Sequence, residues 1–91
     1  MMEITWDEEK AGTNLKKHGV SFDEAQTVLT SEFQLILDDN DHGEPRFVAI
    51  GFSAKTNLLT VVYAYRDEDE IRIISARRAT KRETAYYEER I

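Results

Sequence analysis

The residues best suited to chemistry lie in one short stretch. Between positions 71 and 82 stand Arg72, Arg77, Arg78, Lys81 and Arg82, with no acidic residue among them. Guanidinium groups stay charged and grip a phosphate through two parallel N–H donors. Such a cluster therefore suits binding a phosphodiester and offsetting the charge that builds at phosphorus during its transfer. Arg77 and Arg78 close a β-rich segment and lead through Ala79 to Thr80, where the amides of a new helix would add donors. Arg66 ends the preceding β-rich segment and reaches the same place only if the strand register allows. Alternation along a strand puts Arg77 with Ile71, Ile73 and Ser75, and Arg78 with Arg72, Ile74 and Ala76. The two arginines should then point to opposite faces, and a bulge would change which is which. The plain alternative for the same residues is a solvated strand end and helix start.

His18, beside Lys16 and Lys17, is the one candidate acid or base of the first helix, because imidazole titrates near neutral pH. A histidine packed at a helix C-terminus and favoured by the dipole is the structural alternative. Tyr86 and Tyr87 suit core or partner surface, and Tyr87 is a further candidate for proton transfer beside a phosphate. Ser21 reads as a helix cap, Ser31 and Ser53 sit at element ends, and Ser75 lies in a strand, so no serine has a partnered base. There is no G-x-S-x-G elbow, P-loop or G-x-G-x-x-G turn, which argues against serine hydrolysis and a nucleotide cofactor. In the acidic stretch 38–44, Asp38, Asn40 and His42 take calcium-loop positions one, three and five. Position twelve is Ala49 rather than a bidentate glutamate, so a solvated loop is expected. His18 and His42, with no cysteine in the chain, do not make a zinc site. No metal and no cofactor are expected.

Ninety-one residues make a single domain, 1–91, with a small core. Hydrophobic residues at 41% with one proline and four glycines describe a globular chain. The absence of cysteine excludes a disulfide scaffold and fits a reducing compartment. The longest apolar stretch, 58–65, is far short of the ~20 residues of a spanning helix, and the first ten residues have no signal core, so a soluble cytoplasmic protein is expected. The net charge of −6 opposes nucleic-acid binding taken as an average. Its distribution does not: the +5 of residues 71–82 leaves −11 on the other 79, an anion-seeking patch on an otherwise polyanion-repelling body.

The elements that must position these residues follow from capping signals and period. Thr5-Trp6-Asp7-Glu8 has the form of a capping box, opening a helix to His18 with Gly19 as C-cap and Trp6, Ala11, Leu15 and His18 on one face. Ser21-Phe22-Asp23-Glu24 opens a second helix to about Thr30, with a stripe of Phe22, Ala25, Val28 and Leu29. Four strands follow at 33–37, 46–53, 58–66 and 70–78, rich in β-branched and aromatic residues; hairpin-length turns join the last three, and a longer acidic connection, 38–45, joins the first to the second. Thr80-Lys81-Arg82-Glu83 opens a last helix to about Arg90. The fold class is α+β, with two N-terminal helices, a four-stranded antiparallel sheet and a C-terminal helix, the helices covering one sheet face.

Two of these segments together resemble a known family. Trp6-Asp7-Glu8-Glu9-Lys10, Asn14, Lys17-His18-Gly19-Val20-Ser21-Phe22 and Glu24-Ala25 resemble the opening W-D-x-x-K-x-x-x-N-x-x-K-H-G-V-S-F-x-E-A of BrnT-type toxins. Residues 71–80, Arg72-Ile73-Ile74-Ser75-Ala76-Arg77-Arg78-Ala79-Thr80 among them, then Arg82-Glu83 and Tyr87-Glu88-Glu89, resemble their R-I-I-S-A-R-K-A-T-x-R-E closing segment, and Arg46-Phe47 and Ala49-Ile50-Gly51 match between. The resemblance implies a RelE-like ribonuclease of a type II toxin–antitoxin module that cuts RNA without a metal and halts translation. It implies a BrnA-type antitoxin partner, operator DNA reached only through that antitoxin, and a homodimer or a heterotetramer with it. Carried over, the family's basic positions match Arg66, Arg77 and Arg78, with Lys17 and His18 as further candidates; Arg66, Arg77 and His18 are the expected catalytic residues, and Arg78 and Lys17, together with Arg72, Lys81 and Arg82 of the basic stretch, are expected on RNA phosphate. The chain departs from the family where an R-G-D turn becomes Arg66-Asp67-Glu68-Asp69-Glu70, and in its acidic balance. A second reading is a non-catalytic module whose acidic surface docks a basic partner. A third, direct DNA recognition, is disfavoured by charge and by first helices with few basic residues.

Overall fold

The computed structural model describes residues 2–39 and 43–91. Its elements are β1 (Glu3–Thr5), α1 (Glu8–His18), α2 (Phe22–Leu29), β2 (Leu35–Asp39), β3 (Arg46–Phe52), β4 (Leu58–Asp67), β5 (Glu70–Arg78) and α3 (Lys81–Arg90). The strands form one sheet in the order β1-β5-β4-β3-β2, antiparallel except that β1 runs parallel to β5. The α+β class stands, and the strand count changes from four to five. β1 is only three residues long, too short to show a period, and Thr5 belongs to it rather than to a cap. The N-cap of α1 is Asp7, whose Oδ1 accepts from the amides of Glu9 and Lys10 at 2.8 and 3.2 Å. β2 begins two residues later than its apolar run suggests and takes in Asp38 and Asp39. Asn40, Asp41 and His42 of the acidic loop lie outside the described residues.

The helices flank both faces rather than one. α2 lays Phe22, Ala25 and Val28 over Ala49, Leu59, Val61, Ile73 and Ala76, and this is the core. The approach is close: a Cβ on Gly51 would stand 3.3 Å from Val28 Cγ1. On the opposite face, α3 is held by Tyr87, which is buried, stacks edge-on against Phe52 at 5.8 Å and donates its hydroxyl to the Phe33 carbonyl at 2.7 Å. Among the described residues no helix is long and apolar enough to cross a membrane.

α1 is seated differently. Leu15 is 50% exposed, and Asn14 is the buried residue of the helix. Its Nδ2 donates to the carbonyls of Val20 and Ala76 at 3.0 and 2.8 Å, and its Oδ1 accepts from the Ala76 amide at 3.1 Å. Both halves of the amide are thereby satisfied, and one side chain ties α1, the turn after it and β5 together. The Gly19 C-cap, at φ 70°, is the left-handed residue that lets the chain reverse into that turn. Replacing Asn14 by alanine leaves three buried backbone groups without partners. Asn14→Ala should cost about 2 to 4 kcal/mol in urea unfolding, where a comparable exposed change such as Thr13→Ala costs under about 0.5.

Candidate functional site

The register of β5 decides where the basic residues go. Ile73 pairs with Tyr63 and Ser75 with Val62, so Ile74 is an extra residue in the strand. This bulge reverses the alternation. Ala76 joins Ile71 and Ile73 in the core under α2, while Arg77 faces the α3 side. Arg77 and Arg78 do point to opposite faces, but the companions assigned to Arg77 by simple parity are wrong for that reason.

Arg77 is engaged within the fold. Its Nη1 and Nη2 donate to the two Glu83 carboxylate oxygens at 2.6 and 2.8 Å. Glu83 also closes the capping box of α3: its Oε1 accepts from the Thr80 amide at 2.9 Å while Thr80 Oγ1 accepts from the Glu83 amide at 3.1 Å. The Thr60 hydroxyl adds a fourth donor at 3.0 Å. The Arg77 hydrogen bonds, with those of Thr80 and Thr60, outweigh partial burial and hold the Glu83 carboxyl down at about 2, and the same pair raises the Arg77 guanidinium.

The other arginines separate. Arg78, on the opposite face, donates to Asn57 Oδ1 at 3.0 Å. That amide belongs to a network in which Ser53 and Asn57 donate to Glu24 Oε2 at 2.6 and 2.8 Å. Burial works to raise the Glu24 carboxyl, but these hydrogen bonds, with Lys55 and Arg78 nearby, leave it below its ordinary value. Thr60 is the partner of Arg77, and Arg66 lies six residues further along β4, roughly 20 Å away at a strand's rise. The register therefore keeps Arg66 out of any site with Arg77, and it stands 3.8 Å from Glu70. Arg72 is half-buried with its Nε unpartnered. Lys81 and Arg82 are exposed on the first turn of α3. Tyr87 donates its hydroxyl to the Phe33 carbonyl and anchors α3, on the side of the sheet where Arg77 meets Glu83.

Lys17 and His18 are brought together with residues the sequence reading did not single out as a site. A groove of about 450 Å³ runs between α1 and β5, lined by Lys10, Thr13, Asn14, Lys17 and His18, with Glu9 at one end and Ile74 and Ser75 as its wall. The bulge thus forms the wall, and the Asn14 clamp sets the helix against it. Lys10, Asn14, Lys17 and His18 are spaced i, i+4, i+7 and i+8, one helix face. That spacing was the available signal for Lys10. The groove offers two ammonium groups and an imidazole around a concave surface, a set suited to holding phosphate and moving protons. Among the described residues no three His, Cys, Asp or Glu side chains gather as a metal site.

Comparison with known proteins gives two findings. A family model described as the ribonuclease toxin BrnT of type II toxin–antitoxin systems matches residues 6–83. A crystal structure of the Brucella abortus ribonuclease toxin BrnT aligns at a TM-score of 0.71 and 26% identity, covering 89% of this chain and 100% of that one. No curated protein sequence matches.

The depressed Glu83 carboxyl makes stability pH-dependent. A group with a lowered folded pKa contributes its stability in full above its unfolded value, near 4.5, and loses it as pH falls through about 2. Thermal unfolding between pH 6 and 2 should show Glu83→Gln losing about 1 to 2 kcal/mol at pH 6, allowing for solvent screening of a partly exposed pair. The difference from the parent protein should shrink toward pH 2.

Proposed function

The chain belongs to the BrnT family of ribonuclease toxins of type II toxin–antitoxin systems, and from that premise we propose that it cuts RNA without a metal in the groove between α1 and β5. The observation that carries this reading is the placement of Lys10, Lys17 and His18 on one helix face against the β5 bulge. In the reaction the ribose 2′-oxygen attacks the adjacent phosphorus, the O2′–P bond forms and the P–O5′ bond breaks. The 2′-hydroxyl proton leaves to a base and the departing 5′-oxygen takes one up, so the products are a 2′,3′-cyclic phosphate and a 5′-hydroxyl. His18 handles a proton at this centre and Lys17, beside it, offsets the charge of the phosphorane. Lys10 is two turns back on the helix, about 10 Å away, a distance that suits a neighbouring phosphate.

Arg77, in this reading, acts through α3: by holding Glu83 it fixes the helix rather than gripping RNA. The family also implies translational arrest and neutralisation by a cognate BrnA-type antitoxin, whose DNA-binding part would bring the complex to operator DNA. The acidic body is compatible with cleavage because the groove sets Lys10 and Lys17 against the one carboxylate of Glu9, a local positive excess.

Induced expression of the chain alone should arrest bacterial growth with loss of intact RNA. The purified protein should yield 2′,3′-cyclic phosphate ends in excess EDTA. His18→Ala should lower single-turnover cleavage by about 100-fold or more at unchanged melting temperature. Lys17→Ala should weaken RNA binding and flatten its salt dependence by about one unit of slope. A folded His18→Ala protein that cuts at the parent rate would remove the groove from the mechanism.

A further inference from the structure

The groove between α1 and β5 is not cationic throughout. Lys17 and His18 line it from the last turn of α1, while Glu9 lines it from the first, beside Lys10, and Thr13 and Ser75 add hydroxyls. Glu9 and Thr13 are exposed, and Ile74 and Ser75 of the wall are half-buried. Three carboxylates crowd the start of α1, and two of them are engaged. Asp7 accepts from the Glu9 and Lys10 amides, and Glu8 accepts from the Trp6 indole at 3.1 Å. The Glu9 carboxylate has no hydrogen-bond or ion-pair partner among the described residues, and the same holds for the Thr13 and Ser75 hydroxyls.

In a groove that holds phosphate, a free carboxylate penalises every ligand that brings it no donor. A basic peptide would supply donors but would meet Lys10 and Lys17. The donor that fits is a neutral one carried on a polyanion, which in RNA is the edge of a nucleobase. A carboxylate is best matched by two parallel N–H groups. Guanine alone presents two adjacent donors, N1–H and N2–H, on its Watson–Crick edge. Adenine and cytosine offer one amino group beside an acceptor, and uracil one N–H between two acceptors. Spacing agrees with this choice. Glu9, Thr13 and Lys17 follow at i, i+4 and i+8 along one line of the helix. Glu9 is thus about 12 Å from Lys17, the reach of one purine nucleotide from phosphate to outer base edge with a hydrogen bond at each end. Thr13, between them, can donate to the guanine O6, and Ile74 gives the base plane an apolar wall.

We infer that Glu9, with Thr13 beside it, forms a base-reading subsite that selects an unpaired guanine next to the phosphate held at Lys17 and His18. The phosphate half of this arrangement rests on the proposed function; the base half rests on Glu9. A paired guanine has its Watson–Crick edge occupied, so the subsite takes single-stranded RNA.

Fluorescence titration of the full chain with 2′-O-methyl pentanucleotides tests this. The probes are a uridine strand with guanine, inosine or adenine at its centre; inosine keeps N1–H and lacks the N2 amino group. The guanine strand should bind about tenfold or more tighter than the inosine strand, with adenine no tighter than inosine. Glu9→Gln should erase the difference between guanine and inosine, because an amide offers one acceptor and sets a donor beside it. Glu8→Gln, whose carboxylate meets Trp6 instead, should keep the full ratio. A parent protein that binds guanine and inosine strands alike, or binds neither, overturns the inference. So does a folded Glu9→Gln protein that keeps the ratio. Failure of the proposed cleavage reads out separately: a protein that prefers guanine through Glu9 yet leaves the corresponding 2′-hydroxyl strand uncut keeps the subsite and loses the chemistry.

Discussion

The placement of α1 depends on a side-chain amide. The helix carries little apolar area toward the sheet: Ala11 is only partly covered and Leu15 points to water. Hydrophobic burial alone would hold it weakly and in no fixed rotation. Asn14 supplies both, since its three hydrogen bonds to the backbone of Val20 and Ala76 are directional and are buried where an unmade bond is costly. Ala76 lies two residues past the Ile74 bulge, so the clamp locks the helix at the point where β5 departs from regular pairing. The groove lined by Lys10, Lys17 and His18 is a consequence of that one attachment. Charges at the ends of α1 agree with it: Glu8 and Glu9 occupy the first turn, and Lys16, Lys17 and His18 the last.

A second polar knot performs the corresponding task for α3. Its sequence has a low apolar content, and Tyr87 is its one buried residue. Glu83 completes the helix cap, accepts from Thr60 on β4 and pairs with Arg77 on β5. Both helices outside the main core are thus fixed by hydrogen-bonded polar side chains, as suits a chain of 91 residues whose core is necessarily small. The basic cluster of residues 71–82 is divided by this arrangement, part of it neutralised in structure and part left on the surface.

Much of this was legible in the sequence, and the remainder was hidden for identifiable reasons. The caps of α2 and α3, the C-cap at Gly19 and the β4–β5 hairpin were marked by local residue types, which local physics fixes. β1 was missed because three residues cannot display a period and because its pairing with β5 is non-local. The bulge at Ile74 was invisible for the same reason: Ile73-Ile74 reads as uninterrupted strand, and only the pairing with Val62 and Tyr63 shows the extra residue. Arginine type suggested phosphate chemistry as a class. It could not show that Arg77 already has a carboxylate partner or that Arg66 lies at the far end of β4. His18 and Lys17 were singled out by their type and motif, whereas Lys10, which lines the same groove, was marked only by its spacing from Asn14, Lys17 and His18.

The most direct test is to locate RNA on the folded protein by amide chemical-shift mapping with a short 2′-O-methyl oligonucleotide, which binds but cannot supply the attacking hydroxyl. Shifts concentrated at Lys10, Thr13, Lys17, His18, Ile74 and Ser75 are the predicted result. Shifts concentrated instead at Arg66 and Tyr65, or at Arg78 and Lys81, with the α1–β5 groove unchanged, would contradict it.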